Sequence, residues 1–187
     1  AMIAVHDTEP ERLKEHELIN NCILLLNAGH EAVVNVIGNG MYALLRHKEQ
    51  WENLKANPVL IPTAIEEMMR FDTPLQFFER FVLEDMTYKS FTWEKGTKLC
   101  LYYASANHDA DIFKNPETFD IARYPNPHIA FGLGLHYCIG APLARVELQT
   151  ALQTLSQRLP DLQLVSEYAE YQPKNVFRYL RELPVKY

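Results

Sequence analysis

The apolar positions of this chain follow two rhythms. From Glu15 to Leu45 they recur at helical spacing, at Leu18, Ile19, Cys22, Leu25, Leu26, Val33, Val36, Ile37 and Leu44, with no proline among them. That run predicts one helix of roughly 45 Å at 1.5 Å per residue, enough to cross the middle of a body. Glycines interrupt it at Ala28-Gly29-His30-Glu31-Ala32 and at Gly38-Asn39-Gly40. Each costs about 1 kcal/mol against alanine and is tolerated where something must come close to the backbone. A second helical stretch, HKEQWENLKAN, stops at Pro58, and a third begins near Pro62, reads TAIEEMMRF and stops before Asp72-Thr73-Pro74. The pattern turns β-like from Phe77 to Tyr103, with a turn at Lys95-Gly96. Residues 107–127, rich in Asp, Asn and Pro, have no period. An amphipathic helix from Ala141 to Leu159 is stopped by Pro160, and short strands are expected at Leu162–Val165, Val176–Leu180 and Pro184–Tyr187. At the front, Thr8-Glu9-Pro10-Glu11 has the form of a capping box for a short turn.

The predicted fold class is mostly α with small β-sheets, an α+β arrangement without repeats or linkers. The expected division is a lead-in (1–14), a long central helix (15–46), further helices (47–76), a β region (77–106), a meander (107–130), a cysteine loop (131–140), a helix (141–159) and a β tail (160–187).

Composition narrows the function classes. The chain has 187 residues, 48% hydrophobic and 22% charged, which is ordinary globular composition. A net charge of −6 argues against a nucleic-acid partner. Three cysteines are too few, and odd in number, for a disulfide framework, which predicts a reducing, cytoplasmic setting. No stretch reads as a signal peptide or a membrane span. Ala1-Met2 reads as a cloning remnant.

The chemistry concentrates in FGLGLHYCIGAPLAR, Phe131 to Arg145. Three readings of Cys138 compete. A free cysteine is most often a small buried hydrophobe. With His136 it could begin a zinc site, although His-x-Cys supplies only two ligands. It could also be a thiolate ligand to a haem iron. The loop favours the third. A helix starting just after Cys138 aims its free N–H groups and dipole at the sulfur and favours thiolate. Gly134 and Gly140 let the backbone approach a flat ring. Phe131 supplies a wall, and His136 a donor for an anionic group.

Phe131, Gly134, His136, Cys138 and Gly140 fill every fixed slot of the haem-binding loop of cytochrome P-450 proteins, and the following APLAR resembles the bacterial soluble branch. Two other stretches agree. Glu67-Met68-Met69-Arg70 resembles the family's E-x-x-R helix, with Arg123 at the place of the meander arginine that joins it. Ala28-Gly29-His30-Glu31-Ala32 resembles the oxygen-activation groove, with Gly29 opening it and Glu31 as the proton-delivering acid. Ala32 stands where the family usually has threonine, and Ala106-Asn107-His108-Asp109 has histidine where arginine is usual.

The resemblance implies a haem-thiolate monooxygenase of the soluble bacterial type, inserting one atom of dioxygen into an organic substrate. Its cofactor would be haem b (iron protoporphyrin IX), with Cys138 as iron ligand. Phe131, Gly132, Gly134, Gly140 and Ala28 would lie along the ring, and His136 and Arg80 at its propionates. Leu75, Gln76, Phe77, Val176 and Phe177 would border the substrate pocket, with a plain core role as the competing reading. A ferredoxin or flavodoxin-type donor would dock on the cysteine face, where Arg123, His128 and Arg145 would add positive charge. The resemblance covers only the C-terminal part of the family. It therefore implies a fragment whose unpaired edges invite self-association. The alternative is a non-catalytic P-450-like module that binds haem weakly or not at all.

Overall fold

The computed structural model describes residues 2–9, 11–173 and 176–187. Among the described residues, six α-helices and six short strands follow one another: α1 (Met2–Thr8), α2 (Glu15–Arg46), α3 (Lys48–Ala56), α4 (Ile61–Phe71), β1 (Phe77–Phe81), β2 (Met86–Tyr88), β3 (Phe91–Trp93), β4 (Lys98–Tyr102), α5 (Tyr103–Ala106), α6 (Ala141–Arg158), β5 (Gln163–Leu164) and β6 (Val185–Lys186).

Helix α2 runs 32 residues through both glycine sites without a break. Its start is fixed by the Lys14 N–H, which donates to Glu17 Oε2 at 2.8 Å. The two glycine sites serve different ends. A Cβ on Gly40 would stand 2.0 Å from Met68 Cε, so the missing side chain is what lets α4 lie against α2. A Cβ on Gly29 would meet nothing within 4 Å. Only the second half of α2 is packed, through Val36, Met41, Leu44 and Leu45. There it joins Trp51 and Leu54 of α3, Ile65, Met68 and Met69 of α4, and Leu148 and Leu152 of α6 in one core. Trp51 Nε1 donates to the Pro160 carbonyl at 3.2 Å, which seats α3 against the end of α6.

The first half of α2 is different. Ile19, Ile23, Leu24, Leu25 and Leu26 are exposed, as are Phe81 on β1 and Tyr88 and Phe91 on the β2–β3 hairpin. The accessible surface is 12610 Å². A compact monomer of this mass exposes about 9,200 Å². The excess is the size of an extensive protein interface.

All three sheets are two-stranded and antiparallel: β1 with β4, β2 with β3, β5 with β6. Phe77 lies opposite Tyr102 and Phe81 opposite Lys98. Gly96 turns at φ +89, its N–H donating to Val82 O at 2.7 Å. Lys89, at φ +53, makes the tight turn between β2 and β3, a left-handed position usually given to Gly or Asn.

Three sequence expectations are corrected. Met2–Thr8 forms a helix where 1–14 reads as a polar lead-in, and Thr8 ends it instead of capping a turn. Its Oγ1 donates back to Ala4 O at 2.8 Å, the other local bond a threonine can make; Pro10 lies outside the described residues. The β region does not reach residue 106, because Tyr103–Ala106 closes into one helical turn. Val176–Leu180 is no strand. Its partners alternate: Arg178 N–H reaches Pro74 O at 2.7 Å on one side, and Gln172 N–H reaches Tyr179 O at 2.9 Å on the other. Among the described residues it forms single bridges, Leu75 to Phe177 and Tyr171 to Leu180.

Candidate functional site

Cys138 is half-buried and free, three residues before the first residue of α6. Its N–H donates to Phe131 O at 3.0 Å, and its carbonyl accepts from Ala141 N–H at 3.2 Å. The first bond closes the loop on itself and the second joins it to the helix. Gly132 and Gly134 sit at φ +72 and +70, a backbone region that side chains rarely enter. Those glycines reverse the chain so that Cys138 lands at the N-terminal end of α6, beside the helix's free N–H groups. A Cβ on Gly140 would stand 3.8 Å from the Cys138 sulfur, and one on Gly134 would meet only open space.

His136 is exposed. Arg80, on β1, donates to its neighbour's carbonyl, Glu79 O, at 2.8 Å and lies over the Phe78 ring. It makes no ion pair among the described residues, so its charge is available to an anion. Glu31 is exposed and Ala32 and Gly29 lie on the unpacked half of α2 with Ala28. Backbone pairing brings together four of the residues expected at the substrate pocket. Leu75 bridges Phe177, and Gln76 N–H donates to Val176 O at 2.9 Å. Phe77 continues into β1, its ring 5.1 Å from that of Tyr102.

The donor set fits a haem: one accessible thiol at a helix start, glycines with open space beside them, and an unspent arginine. A zinc site does not assemble, since no group of three or more His, Cys, Asp or Glu comes together among the described residues. A cavity of about 540 Å³ is lined by Tyr42, His47, Asp72, Gln76, Tyr171 and Arg178, among others, and by no residue of the cysteine loop.

Behind the loop lies a buried polar knot. Arg70 and Glu67 are both fully buried. Arg70 Nε and Nη2 donate to Glu67 Oε2 and Oε1, each at 2.8 Å. Its remaining donors reach the carbonyls of Asn107 (2.8 Å), Pro116 (2.9 Å) and Thr118 (3.2 Å). All five guanidinium N–H groups are thereby used. Glu67 also accepts from Arg123 Nε at 3.1 and 3.2 Å, from the Asp120 N–H at 3.0 Å and from Asn126 Nδ2 at 3.1 Å. Arg123 spends its other amines on Lys114 O, Asn115 O and Thr118 O. Two arginines thus gather the carbonyls of a meander that has no secondary structure of its own. Asn107 completes it, donating to Thr73 Oγ1 at 2.7 Å and accepting from Ile129 N–H at 2.8 Å. His108, in the place of the usual arginine, reaches Phe71 O and Glu117 Oε1, both at 3.0 Å.

Arg123, His128 and Arg145 do not present spare positive charge to a partner. Arg123 is bound to Glu67, and both His128 and Arg145 to Glu66. Arg145 donates to Glu66 through Nε at 2.6 Å and Nη2 at 2.8 Å. His128 Nδ1 accepts from Ala130 N–H at 3.2 Å, so Nε2 carries the proton and donates to Glu66 Oε2 at 2.9 Å. Burial works to raise the Glu66 pKa, but the hydrogen bonds from Arg145 and His128 outweigh it and hold the carboxyl at about 2. The sequence reading missed this pair, and also the group in which Tyr171 and Arg178 both donate to Asp72. Burial and the Asp72 charge push the Tyr171 phenol well above its usual range. Partners 79 and 99 to 106 residues apart leave no local spacing to read.

The family model for cytochrome P450 matches residues 50–160. The chain belongs to the cytochrome P450 family. A biotin biosynthesis cytochrome P450 of Bacillus subtilis (strain 168) is 46% identical over 179 residues, covering 96% of this chain and 45% of that protein. The crystal structure of P450BioI in complex with hexadec-9Z-enoic acid ligated acyl carrier protein matches with a TM-score of 0.91 at 46% identity, over 94% of this chain and 45% of that one. Tirandamycin C-bound TamI, a P450 monooxygenase, matches with a TM-score of 0.94 at 38% identity, over 99% and 47%. The fold is therefore the C-terminal portion of the P450 fold, and the chain spans about half the length of the relatives it matches. No helix among the described residues is long and apolar enough to cross a membrane.

Proposed function

We propose that this chain carries the haem-thiolate half of a P450 monooxygenase, one that inserts one atom of dioxygen into an organic substrate with electrons from a ferredoxin or flavodoxin-type donor. The observation that carries the reading is Cys138, a half-buried free thiol held by its own backbone at the start of α6. Cys138 would ligate the iron of haem b, with Phe131, Gly132, Gly134, Gly140 and Ala28 along the ring. Arg80 and His136 would bind its propionates. When bound, haem with a thiolate ligand supplies oxygen activation, the thiolate favouring O–O cleavage. The protein's own work is placement. Gly29 leaves room beside the ring, Glu31 delivers protons, and Ala32 offers no hydroxyl, so water or a substrate hydroxyl takes that place. Leu75, Gln76, Phe77, Val176 and Phe177 hold the substrate. Solved relatives bind an acyl chain on acyl carrier protein and tirandamycin C, which supports an organic substrate as the class.

Haem reconstitution followed by an absorption spectrum of the reduced, carbon-monoxide-bound form tests the reading. A red-shifted Soret band is expected, and Cys138→Ser should abolish it. No uptake, or a band of histidine or thiol ligation, would favour a non-catalytic module.

The uncovered surface supports a second statement: the chain pairs with a second copy through the apolar first half of α2 and the strand edges. Light scattering after size exclusion should give twice 21.7 kDa; a clean monomer would overturn this.

A further inference from the structure

Glu66 and Glu67 are neighbours on α4, and one helical step turns them about 100° apart. Glu67 faces the meander. Glu66 instead receives Arg145, the fifth residue of α6, in a two-bond fork. Three further contacts make this more than a tie between two helices. The Arg145 guanidinium lies 4.7 Å from the centre of the Phe131 ring. Its Nη1 donates to the Tyr137 hydroxyl at 3.3 Å. His128, three residues before Phe131, donates to the same carboxylate. Phe131 opens the cysteine loop, and Tyr137 directly precedes Cys138. One guanidinium therefore holds both ends of the loop, and the Cys138 N–H bond to Phe131 O closes it between them.

We infer that Glu66 and Arg145 are positioning residues that clamp the cysteine loop and set how far Cys138 is exposed. That this placement serves an iron ligand rests on the haem-thiolate reading; the clamp itself does not. Arg145 is thus turned inward to the loop, with a third of its side chain left in solvent.

The test uses the full chain with Cys22→Ser and Cys100→Ser, which leaves Cys138 as its one thiol. The readout is the rate of alkylation by iodoacetamide in native buffer. Arg145→Gln and Glu66→Gln should each speed it about five-fold, the factor that ~1 kcal/mol of local opening produces. Combining the two should add little, because either alone releases the clamp. Arg145→Lys keeps the charge but loses the fork and the stack, and should fall between. Tyr137→Phe, which removes one hydrogen bond, should give a smaller rise. A pair that merely joined α4 to α6 would lower the melting midpoint and leave the labelling rate of the folded protein unchanged, and that result would overturn the clamp. Should Arg145→Gln fail to fold, Arg145→Lys decides on the same readout. In reconstituted samples the variants should also show a smaller share of the thiolate-type carbonyl band. If no form takes up haem, the haem reading fails while the labelling rates still decide the clamp.

Discussion

Glu67 and Glu31 stand on helices of the same chain in opposite surroundings. Glu67 is buried among Arg70, Arg123, Asn126 and a backbone N–H, all supplied by this polypeptide. Glu31 is exposed, on a half-helix whose apolar neighbours are exposed too. The Glu67–Arg70 pair is fully partnered here, whereas the stretch proposed for chemistry lies in solvent. The difference follows from the kind of work. A buried ion pair costs too much desolvation to persist unless every partner is present in the same folding unit. A groove for a cofactor is a gap between surfaces, and one surface alone leaves its residues in water.

The largest effect that could break this contrast is expected at Arg70. Arg70→Ala takes the two-bond fork from a fully buried carboxylate and leaves the Asn107 and Pro116 carbonyls without this donor, at a cost of about 3–5 kcal/mol. Urea unfolding should show it as partial or complete loss of the folded baseline. Glu31→Ala should stay within about 0.5 kcal/mol. Equal losses at the two sites would mean that Glu31 itself is buried in solution and that the contrast is wrong.

The same contrast explains what could be read from the sequence. Helix α2 is legible because its period is local, and the cysteine loop because its residues lie within ten positions. Glu67 and Arg70 share a face at i and i+3, so their pairing needs no tertiary knowledge. The fork from Arg145 to Glu66 and the Asp72 group join distant segments and carry no local pattern. The three residues assigned to a partner surface fail for that reason, since an arginine or histidine on paper has no visible partner. The helix at Met2–Thr8 and the broken pairing at Val176–Leu180 escape the sequence because a threonine bond and a strand-like run each have two local outcomes.

Glycine offers a sharper probe, because one helix holds both environments. At Gly40 a methyl group would enter the Met68 side chain, with Cβ at 2.9 Å and Cγ at 2.7 Å. Alanine's better helix propensity is then outweighed by overpacking, and Gly40→Ala should destabilise by about 1–3 kcal/mol. Thermal unfolding reads this directly, and a neutral result would mean that α4 slides away from α2 at little cost.

Acid should loosen the chain at Glu66. Its carboxyl lies near 2 in the folded protein, against an ordinary 4.5. A depressed folded value gives stability that is full above 4.5 and is lost as pH falls toward 2. Glu66→Gln should therefore flatten the decline of stability with acid across that window, with little further change above it. Because the pair is partly open to solvent, the effect should be smaller than that of Arg70→Ala. An unchanged acid profile would show that the fork from Arg145 is not kept in solution.

Gly29→Ala is a mild change and separates packing from chemistry. Outside its own helix, nothing stands within 4 Å of the added methyl group, and the backbone is already helical. The substitution should stabilise the chain by about 0.4–1 kcal/mol, through propensity and a less flexible unfolded state. The same methyl group would stand in the room proposed for haem, so haem uptake should weaken as the melting midpoint rises. Opposite signs in the two measurements would mark Gly29 as a residue kept for the cofactor at the helix's expense. A gain in midpoint with unchanged uptake would remove Gly29 from the site and leave Cys138 and its loop as the part of the chain that carries the chemistry.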